Sequence, residues 1–211
     1  MGRIYFYKLT NDSGAAPCVQ DGLLSLAICK PMIRSTARQG DLIFGFAANS
    51  LSQDNRLIYI ARVTEKVSEG DYYKRRRFAD RGDCIYRYRG DRFVWRRGAL
   101  HHGPDDVTHD LGEHPDYPRA QVLLSDDFRY FGAKGTDDYK RRYPWIKRAV
   151  ETLGRGQRVN LGDELRSELL ALMRHEWKRT SRKVLGQPTT PPSRRVCHRS
   201  RYAVFLTECP P

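Results

Sequence analysis

The chain has 211 residues, with 38 Lys and Arg against 25 Asp and Glu, for a formal net charge of +13. That length buries a real core and suits one domain, or one domain with an appendage. No apolar run approaches the roughly 18–20 residues that a membrane-spanning helix needs.

Taken in chain order, Ile4–Leu9 alternates as a strand, and the start of the chain carries no signal-peptide pattern, which sets a cytoplasmic expectation. A turn-rich loop over residues 10–17 and a short apolar run over 23–30 follow. Pro31 then stands where it starts a two-turn helix through residue 38, since a proline at the first helical position loses no hydrogen bond. Gly40 and Asp41 turn the chain into an apolar strand at 42–48. Residues 57–65 read as another strand, with one break in the alternation that signals a bulge. Residues 84–88 and 91–96 flank Gly90 as a hairpin, and 101–118 form a long loop rich in Gly, Pro, His and Asp. Strands at 121–124 and 128–131 lie either side of Asp126 and Asp127. The period then becomes helical, over 138–153 and most clearly over 163–178, where Leu165, Leu169, Leu172 and Met173 form a stripe. Residues 181–200 read as a basic linker, and 202–207 as a last strand. The expected class is α+β, a domain over 1–180 followed by a basic segment over 181–211.

The excess charge sits in two places. Residues 71–97 hold ten Lys and Arg against four Asp, and residues 178–201 hold eight with no acid, so the rest of the chain is near neutral. Two such segments attract a polyanion, although solubility explains the same composition. In the first segment, aromatic residues interleave with Lys74, Arg75, Arg76, Arg77, Arg87 and Arg89, a pattern suited to phosphate contacts; a solvated sheet edge is the alternative. Five scattered cysteines (Cys18, Cys29, Cys84, Cys197 and Cys209) make no CxxC pair and read as reduced thiols.

The loop from His101 to His114 collects four histidines and four carboxylates. His102, Asp105, Asp106 and His109 are its candidates for acid–base chemistry, and His101, His102, His109 and His114 an alternative set of ligands for a divalent metal. The spacing matches no metal or deaminase signature, so a solvated loop is the competing explanation and no cofactor is expected. No P-loop, GxGxxG or GxSxG is present.

Lys30 and Arg34 are four residues apart and share a helix face, which suits phosphate or base-edge contacts as well as a solvated basic surface. The stretch Ala-Ile-Cys-Lys-Pro-Met-Ile-Arg at 27–34, Gly-Asp-Leu-Ile-Phe-Gly at 40–45 and the run at 122–132 resemble the second of the nucleotide-modification-associated domain families, over roughly residues 3–180. With residues 57–65, this region is similar to the PUA-like superfamily that includes EVE and ASCH domains. The resemblance implies a mostly antiparallel PUA-like β-barrel with C-terminal helices, and a pocket that binds a modified base or nucleotide. Carried onto this chain, the pocket residues are Cys29, Lys30, Arg34, Phe46, Asn49 and Tyr59, with Phe46 or Tyr59 stacking a base and Asn49 reading an edge. The expected partner is nucleic acid, DNA in the first instance, or a modified nucleotide, with 194–201 adding phosphate attraction. A base- or nucleotide-modifying enzyme that uses the histidine loop, and a protein-interaction module with a basic tail, are the alternatives.

Overall fold

A computed structural model describes residues 2–154 and 156–190. The strand expected at 202–207 and the cations of 194–201 lie outside the described residues. The chain folds as an α+β structure in which two sheets and a helical layer stack on one another.

The first sheet has five strands. β1 (Ile4–Leu9), β4 (Leu42–Ala47), β5 (Leu57–Arg62), β10 (Asp127–Tyr130) and β11 (Gln157–Arg158) are arranged in the order β10-β5-β4-β1-β11. β1 and β4 run parallel and the other pairs antiparallel, so the sheet is mixed. The second sheet is antiparallel, with β2 (Cys18–Gln20), β3 (Leu23–Leu26), β9 (Val122–Ser125) and β6 (Glu65–Val67) in the order β2-β3-β9-β6. β7 (Tyr86–Arg89) and β8 (Arg92–Trp95) form the hairpin expected around Gly90. No closed barrel is found among the described residues.

Alternation explains the layering. In β1, Ile4 and Phe6 join the core beneath α5 (Pro144–Thr152) and α6 (Asp163–Arg179), whereas Tyr5, Tyr7 and Leu9 face the second sheet. β4 divides the same way, with Leu42, Phe44 and Phe46 toward the helices and Ile43 and Ala47 toward the other sheet. A strand buried on both faces reads as a continuous apolar run, which is how 42–47 looks in sequence. The bulge falls inside β5: Gly45 pairs with Tyr59 and Phe46 with Leu57, so Ile58 is the extra residue. Ile58 and Tyr59 consequently share one face, and Leu57 and Ile60 the other.

Gly45 lies against the Tyr59 ring, and a side chain added there would collide with that ring and with Leu9. Gly45→Ala is expected to lower stability by about 1–3 kcal/mol, read as a lower urea midpoint at unchanged slope. A midpoint equal to wild type would contradict this packing.

Residues 181–190 are tied to the body rather than forming a loose linker. Val184 bridges β10 at Tyr130, Gln187 accepts from the Ala133 N–H, and the Thr189 hydroxyl donates to Asp12 at 2.9 Å. No helix among the described residues is long and apolar enough to cross a membrane.

Candidate active site

β3 ends at Leu26, and the buried Ala27 and Ile28 lead into a turn at Cys29 and Lys30, both left-handed with φ of 56° and 43°. Non-glycine residues adopt that conformation at a cost of about 1–3 kcal/mol, and such positions cluster at functional sites. Helix α1 (Pro31–Thr36) starts immediately afterwards, with Pro31 at its first position. The strand, turn and helix bring Cys29, which is 5% exposed, to the lining of a cleft of about 700 Å³. Lys8, Asn11, Lys30, Asn49, Glu151 and Thr152 also line this cleft, which therefore combines two cations and one carboxylate with polar hydrogen-bonding groups. The Lys30 ammonium lies 4.7 Å from the centre of the Tyr7 ring.

Behind Cys29 stands a relay. Cys29 Sγ is 3.3 Å from His102 Nε2, and His102 Nδ1 is 2.6 Å from Asp110 Oδ2. The Tyr86 hydroxyl donates to the same carboxylate oxygen at 2.7 Å, and the Cys29 backbone N–H donates to Oδ1 at 3.0 Å. Asp110 belongs to α3 (Val107–Leu111), and His102 occupies a left-handed position with φ 53° two residues before the 3-10 turn Pro104–Asp106. Burial works against the Asp110 carboxylate, but the hydrogen bond and charge of His102, the Tyr86 bond and the Arg34 guanidinium together hold its pKa below the ordinary value. An ionised Asp110 is an acceptor only, so the proton between it and His102 sits on Nδ1. In the neutral imidazole Nε2 is then a lone-pair base facing the thiol, and in the imidazolium it donates to the thiolate, the two states between which nucleophilic catalysis moves the proton.

A carboxylate whose folded pKa lies below its unfolded value of about 3.9 stabilises the fold fully above that value. The contribution is lost as pH falls through the folded pKa. Asp110→Asn is expected to cost about 2 kcal/mol at pH 7 and to flatten the loss of stability below about pH 4. Urea titrations across the acid range check this, and an acid limb identical to wild type would contradict it.

Arg34 is absent from the cleft. Its side chain is 0% exposed, and Nε donates to the Cys29 carbonyl at 2.6 Å. Its terminal nitrogens donate to the carbonyls of Arg119, Gln121 and Asp110, each at 2.7 Å. With four of its five N–H donors given to main-chain carbonyls and its side chain fully buried, it holds the Cys29 turn, α3 and the 119–121 segment together and has no face for a phosphate. Phe46 and Tyr59 also leave the expected pocket. Phe46 is fully buried between Phe6 and Tyr139, and Tyr59 is buried with its hydroxyl 2.9 Å from that of Tyr7, so neither has a ring face for a base. Of the six expected pocket residues, Cys29, Lys30 and Asn49 line the cleft.

The histidine loop is divided. His102 joins the relay, whereas Asp105 is exposed and Asp106 accepts the Gly103 N–H as a cap at 2.8 Å. His109 is half-buried on α3 outside the relay, and the His101 carbonyl accepts the Trp95 indole N–H. His114 lies against Asp91 and Tyr117. Among the described residues no three His, Cys, Asp or Glu side chains converge as a metal would require. Asp110 and Tyr86 are the site residues that the sequence reading missed. The available signal was a cysteine with a histidine and an aspartate elsewhere in the sequence, the set from which a thiol nucleophile and its base are built.

Lys74 on α2 (Asp71–Lys74), Arg75, the 3-10 turn Arg76–Phe78 and β7 leave Lys74, Arg75, Arg76, Arg77, Arg87 and Arg89 all exposed. Arg75 pairs with Asp71 and Arg77 with Glu65. All three described cysteines are buried; Cys29 differs in lining the cleft beside His102, whereas burial pushes the Cys18 thiol up to about 12 and the Cys84 thiol up to about 11.

Searches of curated proteins and of solved structures gave no match. A family model, nucleotide modification associated domain 2, matches residues 1–140, a span that contains Cys29, Tyr86, His102 and Asp110. The match covers well over half of the chain, which therefore belongs to the nucleotide modification associated domain 2 family and has a role linked to nucleotide modification.

Proposed function

We propose that this protein is an enzyme of nucleotide modification in which Cys29 is the nucleophile, His102 its base, and Asp110 the group that orients His102. The observation that carries the reading is the Cys29–His102–Asp110 relay, with separations of 3.3 and 2.6 Å, whose Cys29 lines a cleft large enough for a nucleotide. His102 Nε2 accepts the Sγ proton, and the thiolate forms a bond to an electrophilic carbon of the substrate. The π electrons at that carbon pass to its neighbouring atom, which takes the proton back from the imidazolium, so the addition needs no other reactant. Lys8 and Lys30 supply positive charge for a phosphate, and Asn11 and Asn49 supply hydrogen bonds for a base or sugar. The exposed cations of α2 and β7 add long-range attraction for a polyanion. A purely base-reading role is less well supported, because its stacking residues are buried and its arginine serves the main chain.

The test is iodoacetamide labelling at pH 7 with peptide mapping, in the presence and absence of a single-stranded 12-mer and of the four nucleoside monophosphates. Cys29 is expected to react at least about tenfold faster than Cys18 and Cys84, and at least one of these ligands to slow it. Equal rates at the three thiols would defeat the nucleophile assignment. Selective labelling that no nucleotide slows would defeat the substrate class.

A further inference from the structure

The C-terminal layer carries a surface that neither the relay nor the family match accounts for. The matched span ends at residue 140, within α4 (Tyr139–Arg142), and α5 follows it. Residues 140–148 read Lys-Arg-Arg-Tyr-Pro-Trp-Ile-Lys-Arg, five cations and two aromatics in nine residues. On α5, Ile146, Ala149 and Val150 point into the core, while Trp145, Lys147 and Arg148 are exposed, Trp145 at 45%. Among the described residues, Arg142, Lys147 and Arg148 take part in no ion pair, whereas Lys140 meets Glu151 and Arg141 meets Asp138.

Helical spacing gives this surface a direction. Trp145, Arg148 and Thr152 stand at i, i+3 and i+7, within one stripe of the helix, and span about 10 Å. Thr152 lines the catalytic cleft, as do Glu151 and Leu153 at the same end of α5. An exposed indole and a guanidinium therefore lead along one helix face to the rim of the cleft that holds Cys29. At the other end, beside α4, lies a groove of about 240 Å³ lined by Lys134, Arg142 and His175, together with Arg141 and Arg179, which are paired with Asp138 and Glu176. Arg142 is within 3.1 Å of His175 there.

We propose that the α4–α5 face is a docking track for a single-stranded nucleic acid, which presents one unstacked nucleotide to the cleft at the end of α5. Resting on the reading of the cleft as a nucleotide site, this names the substrate as a nucleotide within a strand rather than a free one. The charge is complementary to a phosphodiester backbone, and the indole gives a base a flat apolar face. Single-strand binders combine these two features, and each stacked base contributes about 1–3 kcal/mol, or roughly 5- to 150-fold in affinity. A duplex keeps its bases stacked and offers Trp145 nothing to bind, and an acidic protein segment matches the charge but has no use for the ring.

Fluorescence polarisation with a labelled 12-nucleotide oligo-dT, a duplex of the same length and a glutamate-rich peptide tests this on the full chain. Trp145→Ala is expected to weaken oligo-dT binding about tenfold or more, Trp145→Phe to restore most of it, and Arg148→Glu to weaken it further at low salt. Duplex binding is expected to change less than twofold in the two Trp145 variants. Iodoacetamide labelling of Cys29 without ligand is expected to match wild type in all three variants. Unchanged oligo-dT binding by Trp145→Ala would overturn the proposal, as would equal losses for the oligonucleotide, the duplex and the peptide. Loss of selective Cys29 labelling in wild type would strike the nucleophile assignment and leave this docking surface standing.

Discussion

Arg34→Ala is expected to destabilise the protein by about 3–5 kcal/mol, with little direct effect on phosphate binding. The side chain donates four hydrogen bonds to carbonyls from three separate parts of the chain. Truncation leaves those acceptors buried without a donor, opens a cavity the size of the guanidinium and removes a positive charge close to Asp110. Single-domain stabilities run to about 5–15 kcal/mol, so a loss of this size brings the variant close to unfolding. Arg34→Lys is expected to recover only part of it, because an ammonium cannot reproduce the planar fork that reaches carbonyls on several sides. Urea denaturation checks both variants. An Arg34→Ala protein with wild-type stability and weakened nucleic-acid affinity would return Arg34 to the role of an anion contact.

His102→Ala is expected to lower the alkylation rate of Cys29 about 100-fold at pH 7, while Cys18 and Cys84 keep their slow rates. The imidazole is the base within hydrogen-bonding reach of Sγ, and its orientation depends on Asp110 through Nδ1. Asp110→Asn is expected to fall between wild type and His102→Ala: an amide no longer fixes the Nδ1 proton by charge, but the imidazole remains in place. A full-length digest resolves each cysteine separately. Equal Cys29 rates in wild type and His102→Ala would show that the short Sγ–Nε2 approach carries no proton.

Much of the architecture was legible because it depends on local pattern. The strand at Ile4–Leu9, the hairpin around Gly90 and the long helix near 163–178 follow from alternation, a turn glycine and a leucine stripe. The bulge was visible as broken alternation, and the structure puts it at Ile58. The mixed character of the first sheet was not legible, because β1 and β4 pair in parallel across an intervening hairpin and helix, and no local signal reports such a partner.

The site divides along the same line. Cys29 stood out through its neighbours in sequence, but its partner His102 is 73 residues away, and nothing local links them. Asp110 was one of four carboxylates in a loop, and the turn of α3 decides which of them reaches the imidazole. Arg34 and Lys30 share helical spacing, so both read as surface cations. Only the carbonyls brought in by residues 110, 119 and 121 draw the arginine inside. Phe46 and Tyr59 were misplaced because strands buried on both faces carry no alternation that separates core from pocket.

The central claim is that Cys29 is a nucleophile activated by His102, and the pH–rate profile of its alkylation by iodoacetamide tests this most directly. Rates for Cys29, Cys18 and Cys84 are followed by peptide mapping from pH 5 to pH 10 in wild type and His102→Ala. The expected wild-type profile for Cys29 holds a substantial rate into the neutral range, and His102→Ala moves that profile to the alkaline range of an ordinary thiol. Cys29 profiles that superimpose in the two proteins would contradict the claim.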